Sequence, residues 1–140
     1  MGIVKAEITL KKSSDIVLAK NGYIPDDYIH TVTIEATVDT GSMTLVINEE
    51  MRERLALNIE DRKFVRIADG RRVECMVTEP VEIHWKNRSA HERAIVVPGA
   101  PEVLLGVTPL EVMDLIVDPV RLVLVGAHGD EWTEWILASA

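Results

Sequence analysis

The residues best suited to chemistry in this sequence are Asp39, Thr40, Gly41 and Ser42, which directly follow an apolar stretch. A carboxylate fixed at the end of a strand can take a proton from water or give one to a reacting carbonyl. The same Asp-Thr-Gly tripeptide is also a common turn, in which the aspartate accepts a hydrogen bond from its own backbone. The predicted elements around the motif are therefore needed to distinguish a catalytic aspartate from a plain turn.

The stretch before the motif has the alternation of a half-buried β-strand. Polar residues separate its apolar side chains, which are Val32, Ile34, Ala36 and Val38. A period of two places these side chains on one face, so the sequence predicts a strand that runs into Asp39. The alternation from Val4 to Leu10 predicts an earlier strand, whereas turn formers between 13 and 28 predict a loop or a hairpin excursion.

The stretch after the motif predicts a short helix and then a series of strands. Asn48 is a good N-cap with two glutamates in the first turn, so a helix is expected from there to about Leu57. Asp69 and Gly70 form a strong hairpin signal between two alternating segments. Further strands are predicted at 81–85 and 94–97, separated by a polar turn at 87–89. The chain is therefore expected to be mostly β.

The last third contains a glycine at a predicted strand-to-helix junction, Gly106, followed by a capping box at 108–111 with proline at the first helical position. A final hairpin is expected to turn at 118–119. We expect one domain over 1–125 and a tail over 126–140. The spacing of Trp132, Trp135 and Ile136 places them on one face if that tail is helical.

Composition excludes several classes of protein. The 140 residues are 47% hydrophobic and 27% charged, which is typical of one folded domain, and the net charge of -8 disfavours a nucleic-acid partner. A single cysteine, Cys75, fits a reducing compartment and is more typical of a core thiol than of a nucleophile, and no export signal is visible, so a cytoplasmic location is predicted. No apolar run is long enough to cross a membrane, and the four histidines lack metal-ligand spacing, so neither a membrane nor a metal is expected.

The order of these motifs resembles that of the retropepsin-like aspartic proteases, the retroviral proteases and their small bacterial relatives, over roughly residues 1–125. In that family an apolar strand closes on Asp-Thr/Ser-Gly-Ala/Ser, which matches residues 36–42 here. Two apolar residues and a glycine later open a helix, which matches 103–111, and a β-hairpin flap over the cleft corresponds to 67–73. Small bacterial members also share a late Val-Asp-Pro, here Val117, Asp118 and Pro119.

The resemblance implies an all-β acid-protease fold, a closed barrel with one or two short helices, in a homodimer that cleaves peptide bonds without a cofactor. It identifies Asp39, Thr40 and Gly41 as catalytic candidates. Supporting residues are Ser42, whose hydroxyl is placed to donate to the Asp39 carboxylate, and Gly106. The flap candidates are Ala68, Asp69, Gly70 and Arg71, although this tip has fewer glycines than the family's usual flap.

The chain contains one such aspartate motif, so the implied active enzyme needs two chains whose copies of Asp39 meet on a two-fold axis. Two like charges ~3 Å apart repel by about 5 kcal/mol at an effective dielectric constant near 20, and the pair is expected to share one proton, as aspartic-protease dyads do. The ionised carboxylate then activates water while its protonated partner hydrogen-bonds the scissile carbonyl. The resemblance also implies that Thr40 reaches across the axis and that Gly41 lets backbone approach the carboxylates.

Two other interpretations remain open from the sequence alone. One keeps the fold and makes the protein a dimeric peptide-binding module without catalysis, because an intact motif is necessary and not sufficient for activity. The other is an unrelated β-barrel in which 39–41 is an ordinary turn, Gly106 an ordinary junction, and the 69–70 hairpin covers nothing.

Overall fold

The chain is mostly β, as predicted. The computed structural model describes residues 2–132. The strands are β1 (Val4–Lys12), β2 (Thr31–Val38), β3 (Val46–Ile47), β4 (Ile59–Arg66), β5 (Arg72–Trp85), β6 (Arg88–Val96), β7 (Leu104–Leu105), β8 (Leu115–Asp118) and β9 (Val123–Gly126). The helices are α1 (Ser13–Lys20), α2 (Glu49–Arg54) and α3 (Val107–Val112), with a 3-10 turn at Asp26–Tyr28. The described residues thus contain three short helices, one more than expected.

Seven strands form one sheet in the order β1-β2-β7-β3-β6-β5-β4, and β1 also pairs with β5. Most neighbours are antiparallel, but the short strands β7 and β3 run parallel to β2 and β6 respectively. β8 and β9 form a separate two-stranded sheet. The parallel pairing of β2 with β7 brings the ends of these two strands, and the loops that follow them, to one place.

The hydrophobic core lies between the strands and follows the predicted alternation. Ala6, Ile8 and Leu10 are buried on one face of β1, while the residues between them are more exposed. Fewer apolar residues are fully buried in β2, where Val32 and Ala36 are buried but Ile34 and Val38 are only partly covered. The loop residue Leu45 is fully buried beside β3.

The segment 13–28 differs from the prediction, because its first half is helix α1. The helix has no side-chain N-cap, which explains why the sequence did not predict it. Tertiary contacts hold it instead. Asp15 accepts hydrogen bonds from the His30 amide at 2.9 Å and from His30 Nδ1 at 2.7 Å, and Ser14 Oγ donates to Glu79 at 2.6 Å.

The hairpin around Gly70 forms as predicted, with a left-handed φ of 89° at that glycine. It joins β4 to β5. The alternating segment after the hairpin and the strand predicted at 81–85 are a single strand, β5, which continues through a register shift between Val77 and Pro80. The long strand β5 therefore contributes both to the core and to the projecting hairpin.

The helix after Gly106 forms, but the predicted capping box does not. α3 begins at Val107, one residue before Thr108, so Gly106 is the N-cap and Pro109 the third helical residue. The Thr108 side chain faces Met43 and Glu92 instead of capping the helix. The final hairpin forms at the predicted place, where the Asp118 carboxylate accepts from the amides of Val120 and Arg121.

The remaining tail predictions are only partly within the described residues. Gly126 belongs to β9 and the Trp132 side chain is exposed, while Trp135 and Ile136 lie outside the described range. None of the helices in residues 2–132 has the length and apolar character that a bilayer crossing requires.

Candidate active site

Asp39 follows directly after the last residue of β2 and is half-buried. Its amide donates to Leu105 O at 3.0 Å, and two residues earlier the Thr37 amide donates to Val103 O at 2.9 Å. Both bonds belong to the parallel pairing of β2 with β7, and the Asp39 bond continues it past the end of β2. The aspartate is therefore held by the sheet itself.

Both carboxylate oxygens of Asp39 have donors within the motif. The Gly41 amide donates to Oδ1 at 2.9 Å, and the Ser42 hydroxyl donates to Oδ2 at 2.9 Å. The Ser42 amide also donates to the Asp39 carbonyl at 3.0 Å. The loop thus wraps around its own aspartate and fixes the direction of the carboxylate, which is the turn chemistry of an Asp-x-Gly segment used to orient one group.

Gly106 packs against this loop from behind. The amides of Val107 and Thr108 donate to Ser42 O at 2.9 Å and to Met43 O at 2.8 Å. A β-carbon on Gly106 would lie 2.6 Å from Ser42 O, which real structures do not tolerate. Glycine is required here by close approach of two backbones and not by its φ of -93°.

Asp39 opens on a cleft of about 770 Å³ that it shares with the β4–β5 hairpin. The lining residues are Asp39, Gly41, Ser42, Val46, Val65, Arg66, Ile67, Ala68, Asp69, Val97, Pro98, Gly99, Ala100, Pro101 and Leu104. Of the flap candidates, Ala68 and Asp69 line the cleft. Gly70 forms the turn, and Arg71 pairs with the Asp69 carboxylate at 2.7 Å without lining the cleft.

The opposite side of Asp39 borders a second, smaller groove of about 410 Å³. Thr40 is exposed there, beside Ile3, Val117 and Leu122. Ile3, which directly precedes β1, is 71% exposed and adds a large apolar surface to this groove. Of the site candidates, Asp39, Gly41, Ser42, Ala68 and Asp69 thus meet at the cleft, while Thr40 faces the smaller groove.

A charged cluster flanks the motif on the outer face of the sheet. The Glu102 carboxylate accepts from Lys5 Nζ at 2.8 Å and from the Thr37 hydroxyl at 2.6 Å. The hydrogen bond from Lys5, followed by that from Thr37, holds the pKa of Glu102 below its ordinary value. Because the cluster is exposed, it contributes little stability and mainly ties the starts of β1 and β7 to β2.

Two charged residues on β6 make several hydrogen bonds that were not predicted from the sequence. Glu92 is half-buried and accepts hydrogen bonds from Thr44, Leu45 and Thr108. Arg88, predicted within a polar turn, is 1% exposed and donates to the carbonyls of Met113, Asp114 and Gly129. The signal was present, because alternation with the buried Ala90 and Ala94 places both residues on the inward face of β6.

Neither a metal site nor a cysteine nucleophile is supported by the geometry of residues 2–132. Three or more His, Cys, Asp or Glu side chains do not gather there as a metal ion would need. Cys75 is buried, and burial raises the pKa of its thiol, which disfavours the nucleophilic thiolate.

Comparison with known proteins agrees with this geometry. Residues 27–111, more than half of the chain, match the family described as "gag-polyprotein putative aspartyl protease". The fold is similar to that of the retroviral protease-like domain of Ddi1 from Leishmania major, with a TM-score of 0.55 at 14% identity, covering 89% of this chain and 88% of that one. No curated protein sequence matches the chain. The match over 27–111 shows that the chain belongs to the gag-polyprotein type of aspartyl protease family.

Proposed function

We propose that this protein is an aspartic endopeptidase whose catalytic group is the Asp39 carboxylate. The observation that carries the proposal is the placement of Asp39. Its two oxygens are oriented by Gly41 and Ser42, and it lines a cleft together with the β4–β5 hairpin. A fixed carboxylate and room for an extended peptide are what general acid–base hydrolysis of a peptide requires.

The active form that we propose is a homodimer, because a single Asp39 cannot both activate water and protonate a carbonyl. The smaller groove beside Thr40 supports this proposal, since it exposes apolar surface next to the aspartate. On the neighbouring β8–β9 hairpin, Ile116 and Val123 are also well exposed. A two-fold axis close to Thr40 would cover this surface and bring both carboxylates together. The pairing of β1 with β5 supports barrel closure in each subunit.

In the proposed mechanism, one Asp39 carboxylate takes a proton from water as the water attacks the scissile carbonyl. The other Asp39, which holds the shared proton, hydrogen-bonds the carbonyl oxygen and stabilises the charge that develops there. The tetrahedral intermediate then collapses with proton transfer to the leaving amine. No acyl-enzyme forms, so a serine or cysteine nucleophile is not needed.

The cleft walls favour apolar side chains in the substrate. Val65 and Ile67 face it from the hairpin, and Val46, Val97 and Leu104 line it from the sheet. Burying apolar surface on these walls would supply most of the binding free energy, while Asp39 supplies the chemistry. A cytoplasmic location remains part of the proposal and rests on the lone buried Cys75.

Cleavage of a peptide library by purified wild-type protein and by Asp39→Asn tests the proposal. The amide keeps the shape of the side chain but cannot serve as a base, so cleavage should fall at least ~1000-fold while the fold persists. Asp27→Asn, at an exposed position in the 3-10 turn, is the matched control and should cleave as wild type does. A statine-type transition-state analogue should block the wild type.

Equal cleavage by Asp39→Asn would show that another residue is catalytic. Wild-type protein that binds peptides and cleaves none would instead support the binding-module interpretation, which uses the same cleft.

A further inference from the structure

The Glu92 carboxylate joins the two chain segments that hold the Asp39 loop. Its Oε2 accepts hydrogen bonds from the Thr44 hydroxyl and, at 2.9 Å, from the Leu45 amide. Its Oε1 accepts from the Thr108 hydroxyl at 2.9 Å. One side chain on β6 therefore connects the segment after the aspartate motif with the segment after Gly106.

The Thr108 hydroxyl lies between two acceptors, Glu92 and Met43 O, but has only one proton. The Thr108 amide already donates to Met43 O at 2.8 Å. Donation of the hydroxyl proton to Glu92 therefore satisfies more groups. The Thr108 amide then binds the loop directly at Met43 O, while the Thr108 hydroxyl binds it through the Glu92 carboxylate.

Glu92 stands behind the loop and not in the cleft. It is absent from the residues that line the cleft, and its hydrogen bonds end at Thr44, Leu45 and Thr108. It therefore has no contact with a peptide lying over Asp39. Any effect on the reaction must pass through the position of the loop.

We propose that Glu92 is a positioning residue of this active site, which fixes residues 42–45 against α3 and thereby holds the Asp39 carboxylate in its orientation. The kinetic part of this inference rests on the proposed function. A carboxylate that must abstract a proton from a bound water tolerates little displacement, because a shift near 1 Å costs roughly 100-fold in rate. Three hydrogen bonds to one side chain provide the rigidity.

The alternative is that Glu92 only stabilises the fold, and the chain contains a matched residue that separates the two roles. Glu79 is a buried glutamate that accepts hydrogen bonds from the Ser14 hydroxyl at 2.6 Å and from the Asn58 amide at 2.7 Å. It connects α1 with the segment before β4 and does not line the cleft. Loss of either carboxylate removes the same kinds of hydrogen bond.

The experiment compares Glu92→Ala with Glu79→Ala by thermal melting, by peptide cleavage kinetics and by hydrogen exchange at the Gly41 and Ser42 amides. Both variants should melt at a lower temperature than the wild type. Only Glu92→Ala should lower kcat, by roughly 10- to 100-fold, with KM within about twofold. Only in Glu92→Ala should the Gly41 and Ser42 amide hydrogens exchange faster than in the wild type.

Equal kcat values for the two variants, or unchanged exchange at Gly41 and Ser42 in Glu92→Ala, would overturn the proposal. If Glu92→Ala does not fold, Thr108→Val removes one of the three donors and should give a smaller fall in kcat, about 3- to 10-fold, with faster loop exchange. If the wild type cleaves nothing, the exchange data still decide the role of Glu92, and only the proposed function is refuted.

Discussion

Replacing Gly106 with alanine tests whether the close packing behind the motif sets the position of Asp39. The backbone at Gly106 has φ -93° and ψ -169°, which alanine adopts without strain, so the substitution acts through the space of one methyl group. A β-carbon would lie 2.6 Å from Ser42 O and 2.7 Å from Thr44 N, and it would also contact Thr44 O. Ordinary contacts begin at 3.4 Å, so Ser42 O must retreat by about 0.8 Å from the new carbon, and the nearer Thr44 O by more.

This displacement predicts both a loss of stability and a loss of activity. The neighbours are backbone atoms, which cannot rotate away, so the cost of overpacking should be about 2 kcal/mol in the free energy of unfolding. The hydrogen bonds from Val107 and Thr108 to the loop must lengthen at the same time. A shift approaching 1 Å at Asp39 should lower kcat by roughly 30- to 100-fold.

Urea unfolding and peptide cleavage measure the two effects, with Gly22→Ala as the control. A methyl group on Gly22 meets open space, but its φ of 78° is unfavourable for alanine, so this variant should lose about 1 kcal/mol. Gly22 follows α1 and does not line the cleft, so its variant should retain the wild-type kcat. A Gly106→Ala protein with wild-type stability and wild-type kcat would refute the packing argument.

Three further outcomes are expected. The rate of cleavage should be bell-shaped in pH with an acidic optimum if the proposed dimer pairs two carboxylates that share one proton, and a rate that rises steadily through pH 8 would contradict this. Titrating wild type with excess Asp39→Asn chain, under subunit exchange, should abolish activity by forming mixed dimers, and an unchanged rate per wild-type chain would exclude the two-aspartate site. Asp15→Asn should destabilise the fold by about 2 kcal/mol at neutral pH, because Asp15 anchors His30. Burial alone would raise the pKa of Asp15, but the hydrogen bonds from His30 outweigh it and keep that pKa below its ordinary value of 3.8. The stabilisation should therefore be present at neutral pH and disappear as the pH falls below about 4, and urea titrations of both proteins across that range measure it.

The local pattern determined much of the fold. The alternation in β1 and β2 reflects one buried face, and the Asn48 side chain caps α2 as predicted, by accepting from the Met51 amide at 2.9 Å. The Asp69-Gly70 turn also follows from local chemistry, because glycine adopts the left-handed φ that the hairpin requires. These features depend on residues close together in the chain, so the sequence alone is enough to predict them.

Other elements could not be predicted, because their stability comes from distant residues. α1 has no capping side chain and depends on His30 and Glu79. The capping box at 108–111 was wrong because the Thr108 hydroxyl finds better partners in Met43 and Glu92 than in its own helix. Local propensity is overridden when tertiary contacts hold the side chain in a different position.

The sequence by itself identified the candidate catalytic residue, since Asp39, Thr40 and Gly41 form a recognisable motif at the end of a strand. The tertiary structure alone decided what surrounds that residue. The parallel pairing of β2 with β7 brings Gly106 behind the loop, and the β4–β5 hairpin lines the cleft. The alternation on β6 turns Glu92 inward, but its hydrogen-bond partners Thr44 and Thr108 are 48 and 16 positions away in the sequence. Hydrogen bonds across such separations depend on how the strands are arranged in space, and no local pattern in the sequence specifies that arrangement.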